Sequence, residues 1–259
     1  KKIIWAKNYK VPFRSNLKTK KNYISLADQN NLLYIINRSN GEKINALPTE
    51  ETILKNEFIN SFATEKNNLF FLNTFGTIYS LNIDNLKINW FLNLNQSSDI
   101  NVNNLFYSNS IVIKDDKIII STDPYLYVLN LNTGSTISKK LITSISKPIV
   151  SKQGLFFITK DDLLVYKDLK SFNVVYSINI NEEIAKFLGT KKKSVEIKSF
   201  YVVNNKIFLF LENSYLVVFS LEGKIQQIYK LPVKLGTFPI FIDESILYLD
   251  KNNKLVKLN

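Results

Sequence analysis

Short apolar runs alternate with polar breaks along this chain, and the alternation repeats with a long period. The most apolar runs are Asn22-Tyr23-Ile24-Ser25-Leu26, Leu69-Phe70-Phe71-Leu72, Ile118-Ile119-Ile120, Leu155-Phe156-Phe157-Ile158, Ile207-Phe208-Leu209-Phe210-Leu211 and Ile246-Leu247-Tyr248-Leu249. After a polar turn, each is followed by a second run that tends to end in Asn or Asp. Its clearest copies are Leu33-Tyr34-Ile35-Ile36-Asn37, Ile78-Tyr79-Ser80-Leu81-Asn82 and Leu126-Tyr127-Val128-Leu129-Asn130. Looser copies are Leu164-Val165-Tyr166-Lys167-Asp168, Leu216-Val217-Val218-Phe219-Ser220 and Leu255-Val256-Lys257-Leu258-Asn259. Runs this short, rich in β-branched and aromatic residues, read as strands buried on both faces and not as helices.

The breaks are rich in Asn and Asp: Asp28-Gln29-Asn30-Asn31, Asn67-Asn68, Asp115-Asp116, Asp161-Asp162, Asn204-Asn205, Asp243 and Asn252-Asn253. These residues tolerate left-handed backbone and bond their own main chain, so they serve where glycine otherwise would. Only seven Gly occur in the chain, so the substitution carries weight. A first strand precedes each apolar run and a fourth follows the third turn. Four strands in a period of about 40–50 residues point to propeller blades.

The expected fold is therefore all-β, a propeller of four-stranded antiparallel blades. Counting third strands gives six. Lys1-Lys2-Ile3-Ile4-Trp5 aligns with Leu86-Lys87-Ile88-Asn89-Trp90 and reads as a fourth strand, while the sequence stops on a third strand. The expectation is that residues 3–9 complete the last blade and remove its free edge, with residues 1–259 forming a single propeller domain. A piece of a seven- or eight-bladed propeller, cut between repeats, accounts for the same ends. Two segments depart from the repeat. Residues 95–108 are an Asn/Ser-rich connection. Residues 181–199 carry helical spacing with Gly189 as C-cap, and Ile184, Phe187 and Leu188 share one face. Two readings of this insert stand: a short helix capping the scaffold, and a partner-contact element, since inserts on repeat scaffolds gather on the binding face.

Composition narrows the chemistry. Apolar residues make up 45% of the 259, with 18 Phe and 13 Tyr, as in a globular chain. Cys and His are absent. This removes disulfides, thiolate nucleophiles, imidazole bases and Cys or His metal ligands. The net charge is +12, but Arg occurs only at Arg14 and Arg38. Recognition of phosphate and guanine leans on the Arg fork, so the excess of Lys, beside much Asn and Ile, reads as composition, and no nucleic-acid partner is expected. Arg14, beside the turn residue Pro12, is a candidate partner contact because Arg is so scarce. No run approaches the roughly 18 apolar residues of a membrane helix, so no transmembrane segment is expected. The first residue is Lys1 and not Met, which leaves a removed leader or a lost lipid anchor open.

No catalytic, cofactor or metal site emerges. The acidic pairs Glu50-Glu51, Asp115-Asp116, Asp161-Asp162 and Glu182-Glu183 lack the spacing of a calcium loop. Neither a glycine-rich phosphate loop nor a nucleophile elbow is present.

The motif "apolar-Tyr-x-Leu-Asp-x-x-Thr-Gly-Lys-x-x-Trp" is approximated in every period, and the chain resembles the PQQ-like β-propeller repeat family. Trp5 and Trp90 hold the terminal Trp position; Asn45, Ser138, Tyr176 and Gln227 stand there in the other repeats. Within the family the chain is similar to the non-enzymatic BamB-like branch of outer-membrane assembly lipoproteins. That resemblance implies a periplasmic, outer-membrane-anchored, non-catalytic scaffold that binds the barrel-assembly machinery. The family's enzymes grip a quinone with a vicinal Cys pair and a stacked Trp, beside Ca²⁺ and an Asp base. A ligand-binding or PQQ-dependent propeller that uses its central channel is the alternative function.

Overall fold

In a computed structural model describing residues 2–50, 59–95, 105–144, 146–152 and 154–258, the apolar runs are central strands of antiparallel sheets. The chain divides into two compact units, Lys1–Lys147 and Pro148–Asn259, with three sheets each. In the first unit, sheet one is β1 (Lys18–Lys20), β2 (Tyr23–Ala27), β3 (Leu33–Asn37) and β4 (Lys43–Leu47). Sheet two is β5 (Ser61–Glu65), β6 (Asn68–Leu72), β7 (Thr77–Asn82) and β8 (Ile88–Asn93). Sheet three is β9 (Val112–Lys114), β10 (Lys117–Ser121), β11 (Tyr125–Asn130) and β12 (Thr136–Leu141).

The second unit repeats the plan. Sheet four is β13 (Ile149–Val150), β14 (Leu155–Ile158), β15 (Leu163–Lys167) and β16 (Val174–Asn179). Helix α1 (Ile180–Leu188) follows. Sheet five is β17 (Ile197–Val203), β18 (Lys206–Leu211), β19 (Tyr215–Ser220) and β20 (Ile225–Lys230). Sheet six has three strands, β21 (Ile240–Ile242), β22 (Ser245–Leu249) and β23 (Leu255–Leu258). In every sheet, spatial order follows chain order.

Alternation along the second strands explains their unbroken hydrophobicity, because successive side chains leave opposite faces. In β6, Leu69 and Phe71 pack with Leu33 and Ile35 of sheet one, while Phe70 and Leu72 pack with Ile118 and Ile120 of sheet three. In β18, Ile207 and Leu209 meet Phe156 and Ile158 of sheet four. Phe210 turns the other way, toward Tyr248 of sheet six. Each such buried side chain contributes about 1.5–3 kcal/mol.

The third turns share one backbone frame. In sheet one Asn37 N–H donates to the Glu42 carbonyl and Gly41 N–H to the Asn37 carbonyl, at 2.8 and 2.9 Å. The same pair of bonds joins Asn82–Lys87 with Leu86–Asn82, Asn130–Ser135 with Gly134–Asn130, and Asp168–Asn173 with Phe172–Asp168. Sheet five keeps the frame in the shorter turn Ser220–Lys224 with Gly223–Ser220. The residue before the last is left-handed every time: Gly41, Leu86, Gly134, Phe172 and Gly223, with φ from 55 to 82°. A β-bulge follows the paired residues Ile35–Asn45, Ser80–Trp90, Val128–Ser138, Tyr166–Tyr176 and Val218–Gln227. The terminal Trp position of the sequence repeat is therefore one fixed register position. Asn31, Asp115, Asp162, Asn204, Asp243 and Asn253 adopt positive φ, as their place in the breaks anticipates.

One expectation fails. Residues 2–9 form no strand, and sheet six has no fourth strand among the described residues. Val11 N–H bonds the Tyr9 carbonyl and Lys10 is left-handed, so a tight turn ends the segment. Trp5 nonetheless makes the contact that its alignment with Trp90 implies. Its indole Nε1 donates to the Arg38 carbonyl at 2.8 Å, and that of Trp90 to the Leu131 carbonyl at 3.2 Å. Arg38 and Leu131 are equivalent, each following the turn Asn. Of the 95–108 connection, residues 96–104 lie outside the described residues, as do Glu51 and Asn259.

Candidate partner-binding groove

The insert after β16 is an α-helix because both of its ends are capped. Asn179, extended at φ −81° and ψ 113°, accepts from Glu182 N–H through Oδ1 at 3.1 Å. Gly189, left-handed at φ 62°, ends the helix, and its N–H turns back to the Ala185 and Lys186 carbonyls. Glu182 and Glu183 in the first turn and Lys186 in the last complement the helix dipole.

Asn181 fastens the helix to its unit. It is buried, donates through Nδ2 to Asp162 Oδ2 at 2.9 Å and accepts from Val195 N–H at 3.0 Å. One side chain thus ties the helix to the turn before β15 and to the strand-free segment that leads into β17. Ile180 and Ala185 are buried beneath, and Ile180 N–H bonds the Asp162 carbonyl.

The outer face of α1 forms one wall of a groove of about 400 Å³. Ile184, Phe187 and Leu188, the three residues that share a face by spacing, all line it. Ile184 is half-buried against the core of sheets four and five. Phe187 and Leu188 are 49 and 53% exposed. Leu211, Tyr215, Val217 and Ile228 of β18, β19 and β20 make the floor. Lys191 and Lys193, both exposed, stand at the rim.

The charges around the helix are unevenly balanced. Lys192 pairs with Glu182 at 2.9 Å, and Lys186 with Glu183 at 2.7 Å. The hydrogen bond and charge of Lys192 hold the Glu182 carboxyl below its usual range, and Glu183 raises Lys186 in the same way. Lys191 and Lys193 have no ion-pair partner among the described residues. The groove is therefore apolar within and cationic at its mouth.

Arg14 belongs to the other unit and does not line the groove. It is exposed, and its guanidinium has no hydrogen-bond or ion-pair partner among the described residues. Its main chain is structural: the N–H donates to the Ala27 carbonyl at 3.0 Å, and the carbonyl accepts from Asn60 N–H at 2.8 Å. Reading the sequence missed the groove floor, because Leu211 and Val217 look like any other core residues. It missed the rim as well, although the run Lys191-Lys192-Lys193 sits inside the same insert.

A quinone grip made of a vicinal Cys pair and a stacked Trp is not reproduced among the described residues. No Cys is available to grip the ring. Both indoles are committed to turn docking, and a Cβ added to Gly41 or Gly134 would lie 2.5 Å from the Trp5 or Trp90 ring. Among the described residues no cluster of three or more His, Cys, Asp or Glu is placed to hold a metal ion, and no helix is long and apolar enough to cross a membrane.

No family model matches the chain, and no curated protein matches it in sequence. Among solved structures, it is similar to the crystal structure of BamB from Moraxella catarrhalis, with a TM-score of 0.58. The similarity covers 98% of this chain and 84% of that one, at 10% sequence identity. The fold is a BamB-like β-propeller fold. At that identity the likeness speaks to architecture alone, and function has to be argued from the site.

Proposed function

We propose that this protein is a non-catalytic interaction scaffold of the bacterial cell envelope that acts as BamB-like proteins do, in the periplasm and beside the outer-membrane barrel-assembly machinery. The observation that carries this reading is the BamB-like architecture along nearly the whole chain. The lack of Cys and His and the commitment of both Trp residues to docking agree with a role in binding and not in turnover. The partner is a protein, and neither nucleic acid nor a cofactor enters the reading. The six sheets serve as one propeller domain, whose outward segments present the contacts. Peripheral attachment through a lipid anchor upstream of Lys1 belongs to the same proposal.

The test is affinity capture of the tagged chain from detergent-solubilised envelopes, with quantification of barrel-assembly subunits by mass spectrometry. Enrichment over an unrelated propeller of similar charge supports the scaffold. A capture indistinguishable from that control overturns it. Arg14 is proposed as one contact: Arg14→Glu lowers capture about fivefold, the effect of about 1 kcal/mol, while leaving the melting temperature within a few degrees. Unchanged capture removes Arg14 from the interface.

A further inference from the structure

Resting on the scaffold reading, we propose that the α1 groove is the docking site for an extended, acidic protein segment that inserts bulky apolar side chains. Three observations converge on that chemistry. First, the groove is built and not incidental. The helix that walls it is capped at both ends and fastened through buried Asn181 to Asp162 and to the Val195 backbone. Phe187 and Leu188 are thus held half-exposed on a fixed element, with little ordering left to do on binding.

Second, the size suits one or two inserted side chains. A volume of about 400 Å³ over Val217 and Leu211 is at the small end of ligand-sized clefts. It accommodates one or two aromatic or branched side chains projecting from an extended backbone. Burying such an anchor against an apolar floor is the usual energetic centre of a peptide interface.

Third, the rim selects for charge. The acidic residues of the helix, Glu182 and Glu183, are both satisfied by Lys192 and Lys186. Lys191 and Lys193 at the groove mouth are left uncompensated among the described residues. On a chain of net charge +12 they add a local field that attracts carboxylates and repels basic segments. An apolar anchor flanked by Glu or Asp satisfies floor and rim together.

The experiment uses the whole chain and a fluorescein-labelled synthetic peptide with a central Phe pair between runs of Glu, read by fluorescence anisotropy. Two control peptides replace the Phe pair by Ala or the Glu runs by Lys. Saturable binding of the first peptide is expected, with each control at least about tenfold weaker, a difference of about 1.4 kcal/mol. Leu188→Asp removes the anchor contact, and the pair Lys191→Glu with Lys193→Glu removes the rim; each weakens binding about tenfold or more. All these positions are exposed, and circular dichroism confirms the fold of each variant. No saturable binding overturns the proposal. So does equal binding of the Lys peptide, which marks unselective stickiness, and so does wild-type affinity in Leu188→Asp. The two readings separate in the capture assay. Barrel-assembly subunits captured by the wild-type chain, together with no saturable peptide binding by it, sink the groove and leave the scaffold. Peptide binding with no capture does the reverse.

Discussion

Trp5 lies on Gly41 as Trp90 lies on Gly134. In both pairs a Cβ on the glycine would come within 2.5 Å of the indole Cε3, and both glycines are left-handed, at φ 69 and 74°. Tyr176 lies beside Gly223, at φ 82°, less closely: a Cβ there would fall 3.1 Å from its ring and 2.9 Å from Ile178 Cδ1. Where the docking position is Asn45, the next turn carries Leu86 in the same left-handed place. Leu86 packs in one cluster with Tyr23 and Leu47, and Leu47 shares the face of Asn45. A large ring with a glycine, and a small side chain with leucine, are two solutions to one packing problem.

This exchange should be transferable. Trp90→Ala alone should cost about 2–3 kcal/mol, since the ring is half-buried. Gly134→Leu alone should cost about 2 kcal/mol or more, from the clash and the left-handed backbone. Together they should cost clearly less than the sum, with a coupling of at least about 1 kcal/mol. Urea unfolding of the four proteins of the cycle measures it, and simple additivity would reject the exchange.

The alkaline limb of stability should depend on Tyr79. Burial, and then the charge of Glu50, push its phenol up to about 12. The folded protein holds the proton more tightly than the unfolded chain, whose phenol titrates near 10. The stabilisation is therefore whole below pH 10 and is lost as pH rises from about 10 toward 12. Tyr79→Phe should flatten the fall of the urea midpoint over that range. An unchanged slope would show that the hydroxyl does not carry it.

Tyr176→Phe should stabilise the protein. The Tyr176 hydroxyl is buried with no hydrogen-bond partner among the described residues, while its ring packs against Gly223. Burial, then the charges of Glu222 and Tyr166, also push its phenol up. Deleting the hydroxyl removes an unmet polar group at almost no loss of packing, worth about 1 kcal/mol. A higher denaturation midpoint confirms this, and a lower one shows that the hydroxyl has a partner after all.

Asn181→Ala should release α1 without unfolding the sheets. The change leaves Asp162 Oδ2 and Val195 N–H without their shared partner, at a cost of about 2 kcal/mol. Hydrogen exchange should quicken in residues 180–196 and stay slow in β18 and β19. Uniform loss of protection would mean that the helix is part of the unit's cooperative core.

The strands were legible because burial on both faces leaves an unbroken apolar run, as in Leu69-Phe70-Phe71-Leu72, that no exposed element tolerates. The docking register was legible too, since Trp90 and Tyr176 are spelled out at the bulge position. The same alignment overstated the N-terminus. It encodes a side-chain contact, and Trp5 meets that contact while residues 2–9 make no ladder. The helix was readable through Gly189 and the spacing of Ile184, Phe187 and Leu188. The groove floor was not, because a residue such as Val217 uses one side chain both to fill the core and to line a cleft.

Paired docking also limits how such a chain can be rearranged by recombination. A unit ending in Trp must be followed by one whose turn offers glycine, so the order of neighbours is written into the units themselves. A tandem copy of sheet two would set Trp90 against the copied Leu86, two bulky groups in one place, whereas a duplication that kept the matched pairs adjacent would be accepted. Growth or shrinkage of this array is therefore expected to proceed by whole compatible pairs.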